Sequence, residues 1–240
     1  MHNKAALITG GAKRIGKAIA VHLAENGFDI ALHYNTSKKE AIETAREIKG
    51  LGQKCLIFKC DFNKISNTLS LIREVKKSFP SLNLLINNAS IFKEGLLTNT
   101  DVNQFENHFN INLKTPFFLS RDFAKLCKRG HIINILDTNI TRKHSKYFSY
   151  NLSKKMLHEF TKMAAVELAP NIRVNAVAPG PILPPPYKDL KYLQKKGLIV
   201  PLKRKGDLYN ITQTIDFLVT NTYITGQCIF VDGGKNLTQN

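Results

Sequence analysis

Tryptophan is absent from the 240 residues, and cysteine occurs only at Cys55, Cys60, Cys127 and Cys228. No Cys-x-x-Cys pair and no histidine at ligand spacing accompanies them, so neither a metal site nor a disulfide framework is expected. The four read as small core residues in a reducing compartment. Long apolar runs are missing as well, which excludes a helix spanning a bilayer. Met1-His-Asn-Lys4 leads straight into an apolar run at 5–9 that reads as a first core strand. Nothing there resembles the basic start, apolar stretch and cleavage site of a secretory signal, so a cytoplasmic protein without a membrane partner is expected. Acidic residues are scarce, 18 Asp plus Glu against 35 Lys plus Arg, giving a net charge of +17. Such an excess draws in anionic ligands, nucleic acid among them. The lysines are scattered along the chain, however, and the aromatic and glycine patterns of RNA-binding modules are missing. A nucleic-acid partner is not expected; a field that gathers an anionic cofactor and substrate is.

Hydrophobic residues make up 43% of the chain, enough for one large core and incompatible with wholesale disorder. Strand-like runs at 5–9, 28–33, 54–60, 82–87, 131–137, 172–177 and 227–231 alternate with helical patterns at 15–26, 38–49, 66–78, 101–128, 147–168 and 208–219. That alternation predicts an α/β fold, a doubly wound parallel sheet of about seven strands in a single domain over residues 1–240. The expected strand order is 3-2-1-4-5-6-7, by analogy with dinucleotide-binding folds. Pro116 predicts a kink or break in the fourth helical stretch. One segment interrupts the rhythm, from Pro179 to Gly206, with Pro184-Pro-Pro186 and a basic run from Lys188 to Lys205. It follows the sixth strand and hangs over the carboxyl ends of the sheet, so residues 181–206 read as a long irregular loop covering a substrate.

Thr9-Gly-Gly-Ala-Lys-Arg-Ile-Gly16 follows the first strand and opens a helix. Gly10 permits a tight turn and Gly16 a close helix start, while Lys13, Arg14 and Ile15 lie where free N–H groups meet a pyrophosphate. After the second strand, His33, Tyr34, Asn35, Thr36 and Ser37 include no Asp or Glu to take a ribose 2′-hydroxyl. Polar groups followed by Lys38-Lys39 suit a 2′-phosphate instead, so NADPH is expected over NADH. Asp61 and Phe62 end the third strand, where the adenine would lie. Asn88, Ala89 and Ser90 follow the fourth, at the depth of the nicotinamide ribose.

Tyr150-Asn-Leu-Ser-Lys154 puts a phenol and an ammonium one helical turn apart on one face. A cation beside a phenol favours the phenolate, so the Tyr150 pKa is expected to fall towards neutrality and make it a proton donor near working pH. Thirteen residues earlier, Asp137 closes the apolar run His131-Ile-Ile-Asn-Ile-Leu136.

Over essentially its full length the chain resembles the short-chain dehydrogenase/reductase superfamily. Asn87-Asn88-Ala89, Tyr150 with Lys154, Pro179-Gly180, and the stretch from Ile224 to Gly234 match its motifs in order and spacing. Asn112 matches the asparagine that the superfamily uses, with a water, to connect its active-site lysine to solvent. Asp137 departs from the pattern, standing where most members carry a serine that hydrogen-bonds the substrate carbonyl. An ionised carboxylate has no proton to give and repels a developing alkoxide, which speaks against a ketone. Within the superfamily the chain resembles pteridine reductases and bacterial dihydromonapterin reductases. Arg14 in the glycine turn, His33-Tyr34 with Ser37, Ser90 with Phe92, and Asp137 match their marks one by one. The resemblance implies a pterin or folate substrate sandwiched between Phe92 and the nicotinamide, hydrogen-bonded by Ser90 and Arg14, with Asp137 and Tyr150 delivering the proton. It also implies a homotetramer. Asn35 and Thr36 replace the His-Arg pair of the parasite enzymes, leaving the 2′-phosphate to Thr36, Ser37 and lysines. Two rivals stand beside this reading: a ketoreductase of acyl-carrier substrates, with the basic loop drawing in an acidic carrier, and a non-enzymatic NADP(H)-sensing regulator on the same fold.

Overall fold

A computed structural model describes residues 4–143, 146–185 and 188–238. Strands β1 (Lys4–Ile8), β2 (Phe28–Tyr34), β3 (Cys55–Lys59), β4 (Leu82–Asn87), β5 (Gly130–Ile135), β6 (Ile172–Pro179) and β7 (Cys228–Val231) form one sheet. Every pairing is parallel and the order is β3-β2-β1-β4-β5-β6-β7, as the alternating pattern predicts. Parallel strands buried on both faces read as continuous apolar runs, and all seven residues of β2 are buried. Successive side chains of one strand face opposite ways. Ala6 and Ile8 of β1 pack with Ile19, Leu23, Ile48, Ile211 and Ile215, from α1 (Arg14–Glu25), α2 (Lys38–Gly50) and α8 (Leu208–Thr220). Ala5 and Leu7 pack on the other side with Leu71, Val75, Leu119, Phe123 and Ala164, from α3 (Ile65–Ser78), α5 (Thr115–Cys127) and α6 (Phe148–Leu168). Each fully buried Leu or Ile contributes roughly 1.5–3 kcal/mol relative to exposure, so the two layers hold the sheet rigidly between them. Burial pushes the Cys55, Cys60 and Cys228 thiols up to about 12, so they act as small apolar side chains.

The helix expected across 101–128 breaks before Pro116 rather than at it. Helix α4 (Val102–Phe109) passes into one π-turn, Asn110–Lys114, before α5 begins with Pro116 in its first turn. Proline has no N–H and its ring collides with the carbonyl four residues back, so the wider turn accommodates it. The same turn carries Asn112 inward, fully buried.

The 181–206 segment is not wholly irregular, which corrects the sequence reading. It contains α7 (Leu190–Leu198), started by Asp189, whose carboxylate accepts from the Tyr192 N–H at 2.9 Å. The prolines and Gly197 obscured this helix in the sequence. Gly197 is required because a Cβ there would lie 2.4 Å from the Lys205 nitrogen on the returning chain. The base of the segment is tied down by Gly206 N–H to the Pro181 carbonyl (3.2 Å) and Leu202 N–H to the Gly233 carbonyl (3.1 Å). Among the described residues no helix is long and apolar enough to cross a membrane.

Candidate active site

The order in which strands are added to the sheet switches sides between β1 and β4, and the crevice at that point faces the carboxyl ends of the strands. The turn after β1 is built from its neighbours. Thr9 Oγ1 accepts from the N–H groups of Asn88 (2.9 Å) and Ala89 (3.0 Å), and Asn88 Nδ2 donates to the carbonyls of Thr9 (2.8 Å) and Gly10 (3.1 Å). Gly10 has φ +61°, and a Cβ on Gly16 would lie 2.2 Å from the Gly10 carbonyl oxygen, so both positions require glycine. Arg14 adopts φ +58°, the left-handed region that suits glycine, in the place where the superfamily pattern has one. Its Nη2 donates to the Pro184 carbonyl oxygen at 2.7 Å, bridging the first turn to the segment after β6. No side chain caps the N-terminus of α1 and no acidic residue stands in its first turn, where Lys13 is exposed and Ile15 packs on the core.

His33 is expected to touch the cofactor, and here the structure corrects the sequence. The residue is only 2% exposed, with both ring nitrogens committed inside the protein. Nδ1 accepts from the Gly10 N–H at 3.0 Å, which makes Nε2 the protonated nitrogen that donates to the Cys60 carbonyl at 2.9 Å. Phe62 stacks on the ring at 4.1 Å, and burial lowers the imidazole pKa to about 4. His33 is thus a neutral strut under the glycine turn, and the Phe62 side chain belongs to that strut. Beside it, a cavity of about 570 Å³ is lined by Tyr34, Asn35, Thr36, Lys38, Lys59, Asp61, Lys64 and Asn67. Lys59 and Lys64 were missed from sequence; the signal was available, because Lys59 ends β3 in register with Tyr34. Ser37 lies next to this cavity as the residue before α2, its hydroxyl not used as a cap.

At the other end of the crevice, Tyr150 Oη donates to Asp137 Oδ2 at 2.9 Å, while Asp137 Oδ1 accepts from the Asn139 N–H at 2.7 Å. Lys154 Nζ donates to the Ile135 carbonyl at 2.8 Å. The expected fall in the Tyr150 pKa does not occur in this arrangement. Burial, then the Asp137 charge and the hydrogen bond to it, push the phenol well above its ordinary value. Ionising it would put two anions in contact, so Tyr150 stays protonated at neutral pH. Burial lowers the Lys154 ammonium to about 8, against an opposing pull from Asp137. Asn112 Oδ1 accepts from Ser90 Oγ and from the Ile91 N–H, both at 3.0 Å. Its Nδ2 donates to Ser153 Oγ at 3.1 Å, whose hydroxyl donates to the Tyr150 carbonyl. Phe92 lies edge-on to Tyr150 at 4.7 Å and stacks one face on Tyr147 at 4.0 Å. Pro179 ends β6, and a Cβ on Gly180 would lie 2.5 Å from Asp232 Cα.

His108 is a further residue that sequence reasoning missed. It is buried on α4, accepts from the Lys93 N–H at Nε2 (3.3 Å) and bonds Ser149 Oγ through Nδ1 (2.8 Å). It thereby fixes the segment that carries Phe92 against the start of α6. A second cavity, of about 470 Å³ between β7, α8 and the returning segment, is lined by Ile182, Arg204, Phe217 and Phe230 and holds none of the expected site residues but the neighbours of Gly180. Among the described residues no group of His, Cys, Asp and Glu is arranged to hold a metal ion.

A family profile described as enoyl-(acyl carrier protein) reductase matches residues 10–236. The chain belongs to the short-chain dehydrogenase/reductase superfamily. It is 35% identical over 240 residues to the 3-oxoacyl-[acyl-carrier-protein] reductase FabG of Staphylococcus epidermidis, covering 97% of this chain and 98% of that one. The crystal structure of FolM, alternative dihydrofolate reductase 1, from Brucella canis complexed with NADP superposes with a TM-score of 0.95. That pair shares 36% identity and covers 100% of this chain and 96% of the other. Acetoin dehydrogenase YohF of Salmonella typhimurium is similar at TM-score 0.89 and 28% identity, covering 98% and 97%. These relatives agree on an oxidoreductase of this superfamily and differ in substrate.

Proposed function

We propose that this chain is an NADPH-dependent pterin reductase that saturates the N5=C6 bond of 7,8-dihydropterins, dihydrofolate included. The observation that carries the reading is the Tyr150–Asp137 hydrogen bond, a carboxylate where a ketoreductase needs a hydroxyl. The hydroxyl of the adjacent Thr138 does not substitute for it, since it donates to Asp232. The full-length likeness to FolM supports the same substrate class.

The residues fit a dinucleotide. The uncapped start of α1 leaves N–H donors for a pyrophosphate, and Lys38, Lys59 and Lys64 suit a 2′-phosphate. NADP bound to FolM supports NADPH here. The bound nicotinamide supplies the hydride. As the C=N electron pair moves onto N5, the Tyr150 hydroxyl gives N5 its proton. Raised above its ordinary pKa, Tyr150 enters that step fully protonated; its O–H, donated to Asp137 before the substrate arrives, turns to N5 for the transfer. Lys154, one helical turn along, offsets the phenolate left behind, and Asn112 links this helix to Ser90. Arg14, Ser90 and Phe92 hold the pterin, with 181–206 as cover. Exposed apolar side chains on α4 to α6, Phe105, Phe117, Met163 and Val166 among them, support a homotetramer built on these helices.

The FabG likeness favours the second reading, a ketoreductase of acyl thioesters. NADPH oxidation with dihydrobiopterin, dihydrofolate and an acetoacetyl thioester separates the two. Turnover of the pterins and little of the thioester is expected; the reverse ranking overturns the assignment.

A further inference from the structure

Gln104 and His108 on α4 and Asn112 on the π-turn after it stand four residues apart and form one inward row. All three are buried. Their partners are backbone groups of residues 91–94, a stretch after β4 that belongs to no helix or strand. The Ile91 N–H donates to Asn112 Oδ1 at 3.0 Å, and Asn112 Nδ2 donates to the Ile91 carbonyl at 3.2 Å. The Lys93 N–H donates to His108 Nε2 at 3.3 Å, and Gln104 Nε2 donates to the Glu94 carbonyl at 3.0 Å. Gly95 then pairs with the chain entering α6: its N–H donates to the Lys146 carbonyl and its carbonyl accepts from the Phe148 N–H, both at 2.8 Å. A Cβ on Gly95 would lie 2.4 Å from Gln104 Nε2, so glycine lets the row come close. Because His108 Nε2 accepts, Nδ1 carries the proton and donates to Ser149 Oγ at 2.8 Å. Burial, then the Lys93 charge, lower its pKa and keep the ring neutral. The Lys93 and Glu94 side chains are exposed, so packing does not anchor those two residues. What the row holds is Phe92, clamped on both sides, its ring stacked on Tyr147 at 4.0 Å and edge-on to Tyr150 at 4.7 Å.

We infer that His108 and Gln104 are positioning residues for the substrate: they fix the backbone that follows Phe92 and so preset the ring on which the pterin stacks. The inference rests on the pterin reading above. An irregular stretch left free until the substrate arrives would lose its freedom on binding, and that loss would be subtracted from affinity. The row makes the ordering part of folding instead. A buried polar side chain is costly unless it is hydrogen-bonded, so three of them turned on one short stretch of backbone hold its shape rather than fill space. The two ring nitrogens of His108 engage Lys93 and Ser149, not Tyr150 or Asp137. Its removal therefore weakens ring binding and leaves the proton donor and the dinucleotide turn as they are.

The test follows amide hydrogen exchange over residues 91–95 by mass spectrometry on the whole enzyme. Steady-state kinetics with dihydrobiopterin and calorimetric binding of 2,4-diaminopteridine to the NADPH-loaded protein are measured in parallel. His108→Leu is expected to speed exchange in that stretch by about tenfold, a local opening rather than a global one. KM for dihydrobiopterin and Kd for the diaminopteridine should rise about five- to thirty-fold, the worth of one buried hydrogen bond. Both kcat and NADPH affinity should stay within about two-fold, as when binding common to ground and transition states is removed. His108→Gln keeps an acceptor at similar reach and should restore most of the ring affinity. Gln104→Met should repeat the His108→Leu pattern more weakly, and it carries the test if His108→Leu does not fold. Unchanged exchange over 91–95, faster exchange with unchanged ring binding, equal losses in His108→Gln and His108→Leu, or NADPH affinity falling in step with ring affinity overturns the inference. If wild type neither turns over dihydrobiopterin nor binds the diaminopteridine, the pterin reading falls. The exchange result and KM for acetoacetyl thioester then decide the positioning role.

Discussion

The Arg14 guanidinium donates to the Pro184 carbonyl oxygen at 2.7 Å, so the first turn of the crevice and the segment after β6 share one side chain. The backbone under that side chain is left-handed at φ +58°, a conformation that costs a non-glycine residue roughly 1–2 kcal/mol. Arg14→Gly and Arg14→Ala both remove the bridge, and both are expected to raise KM for the pterin. Only the glycine variant relieves the backbone, so it should be the more stable of the two by about 1 kcal/mol in denaturant unfolding. Equal stabilities would show that the turn is not strained.

The strut under the glycine turn makes the fold sensitive to acid. His33 and His131 are lowered by burial to about 4 and about 3, against 6.5 for the free side chain. Between pH 6.5 and about 4 the unfolded chain therefore binds protons that the folded chain refuses, and stability falls as pH falls through that window. Each histidine contributes a slope of about 1.4 kcal/mol per pH unit. Unfolding free energy measured from pH 7 to pH 4.5 should show this loss, and His33→Gln should reduce the slope while weakening NADPH binding. A flat profile contradicts the buried neutral strut.

Lys59 and Lys64 line the cavity next to Thr36, and on the proposed reading they distinguish NADPH from NADH. Lys59→Ala is expected to raise KM for NADPH several-fold with little effect on NADH, since only the former has a 2′-phosphate. Proportional losses with both cofactors would place the phosphate elsewhere.

Tyr150→Phe removes the donor and leaves the ring. A fall in kcat of about 10²–10⁴-fold is expected with NADPH affinity kept, measured by steady-state turnover and by fluorescence titration. Retained activity would require another proton source.

Much of this was legible in the sequence, for a physical reason. Doubly buried parallel strands leave unbroken apolar runs, and the turns between them must carry glycine at positions such as Gly10 and Gly16, so strand order and crevice could both be read. Asp137, Tyr150 and Lys154 could be placed together because a strand end and one helical turn fix their separation. What stayed hidden depends on neighbours in space. His33 looks like a polar ligand until Gly10 and Cys60 take its two nitrogens. The Tyr150 pKa was misjudged because the pattern shows the lysine but not the burial of the phenol, nor that its hydroxyl donates directly to the carboxylate. Helix α7 lay among prolines, and Lys64 and His108 gained meaning only from the elements packed beside them.

The central claim, that the carboxylate of Asp137 sets the substrate, is tested most directly by steady-state turnover of wild type and Asp137→Ser on dihydropterin and acetoacetyl thioester. The serine restores a hydroxyl that donates to a carbonyl and removes the charge that, after burial, raises the Tyr150 phenol above its ordinary pKa. Wild type is expected to reduce the dihydropterin and scarcely touch the thioester, and the variant to lose most pterin turnover while ketone reduction rises. Efficient thioester reduction by wild type, without pterin turnover, would contradict it.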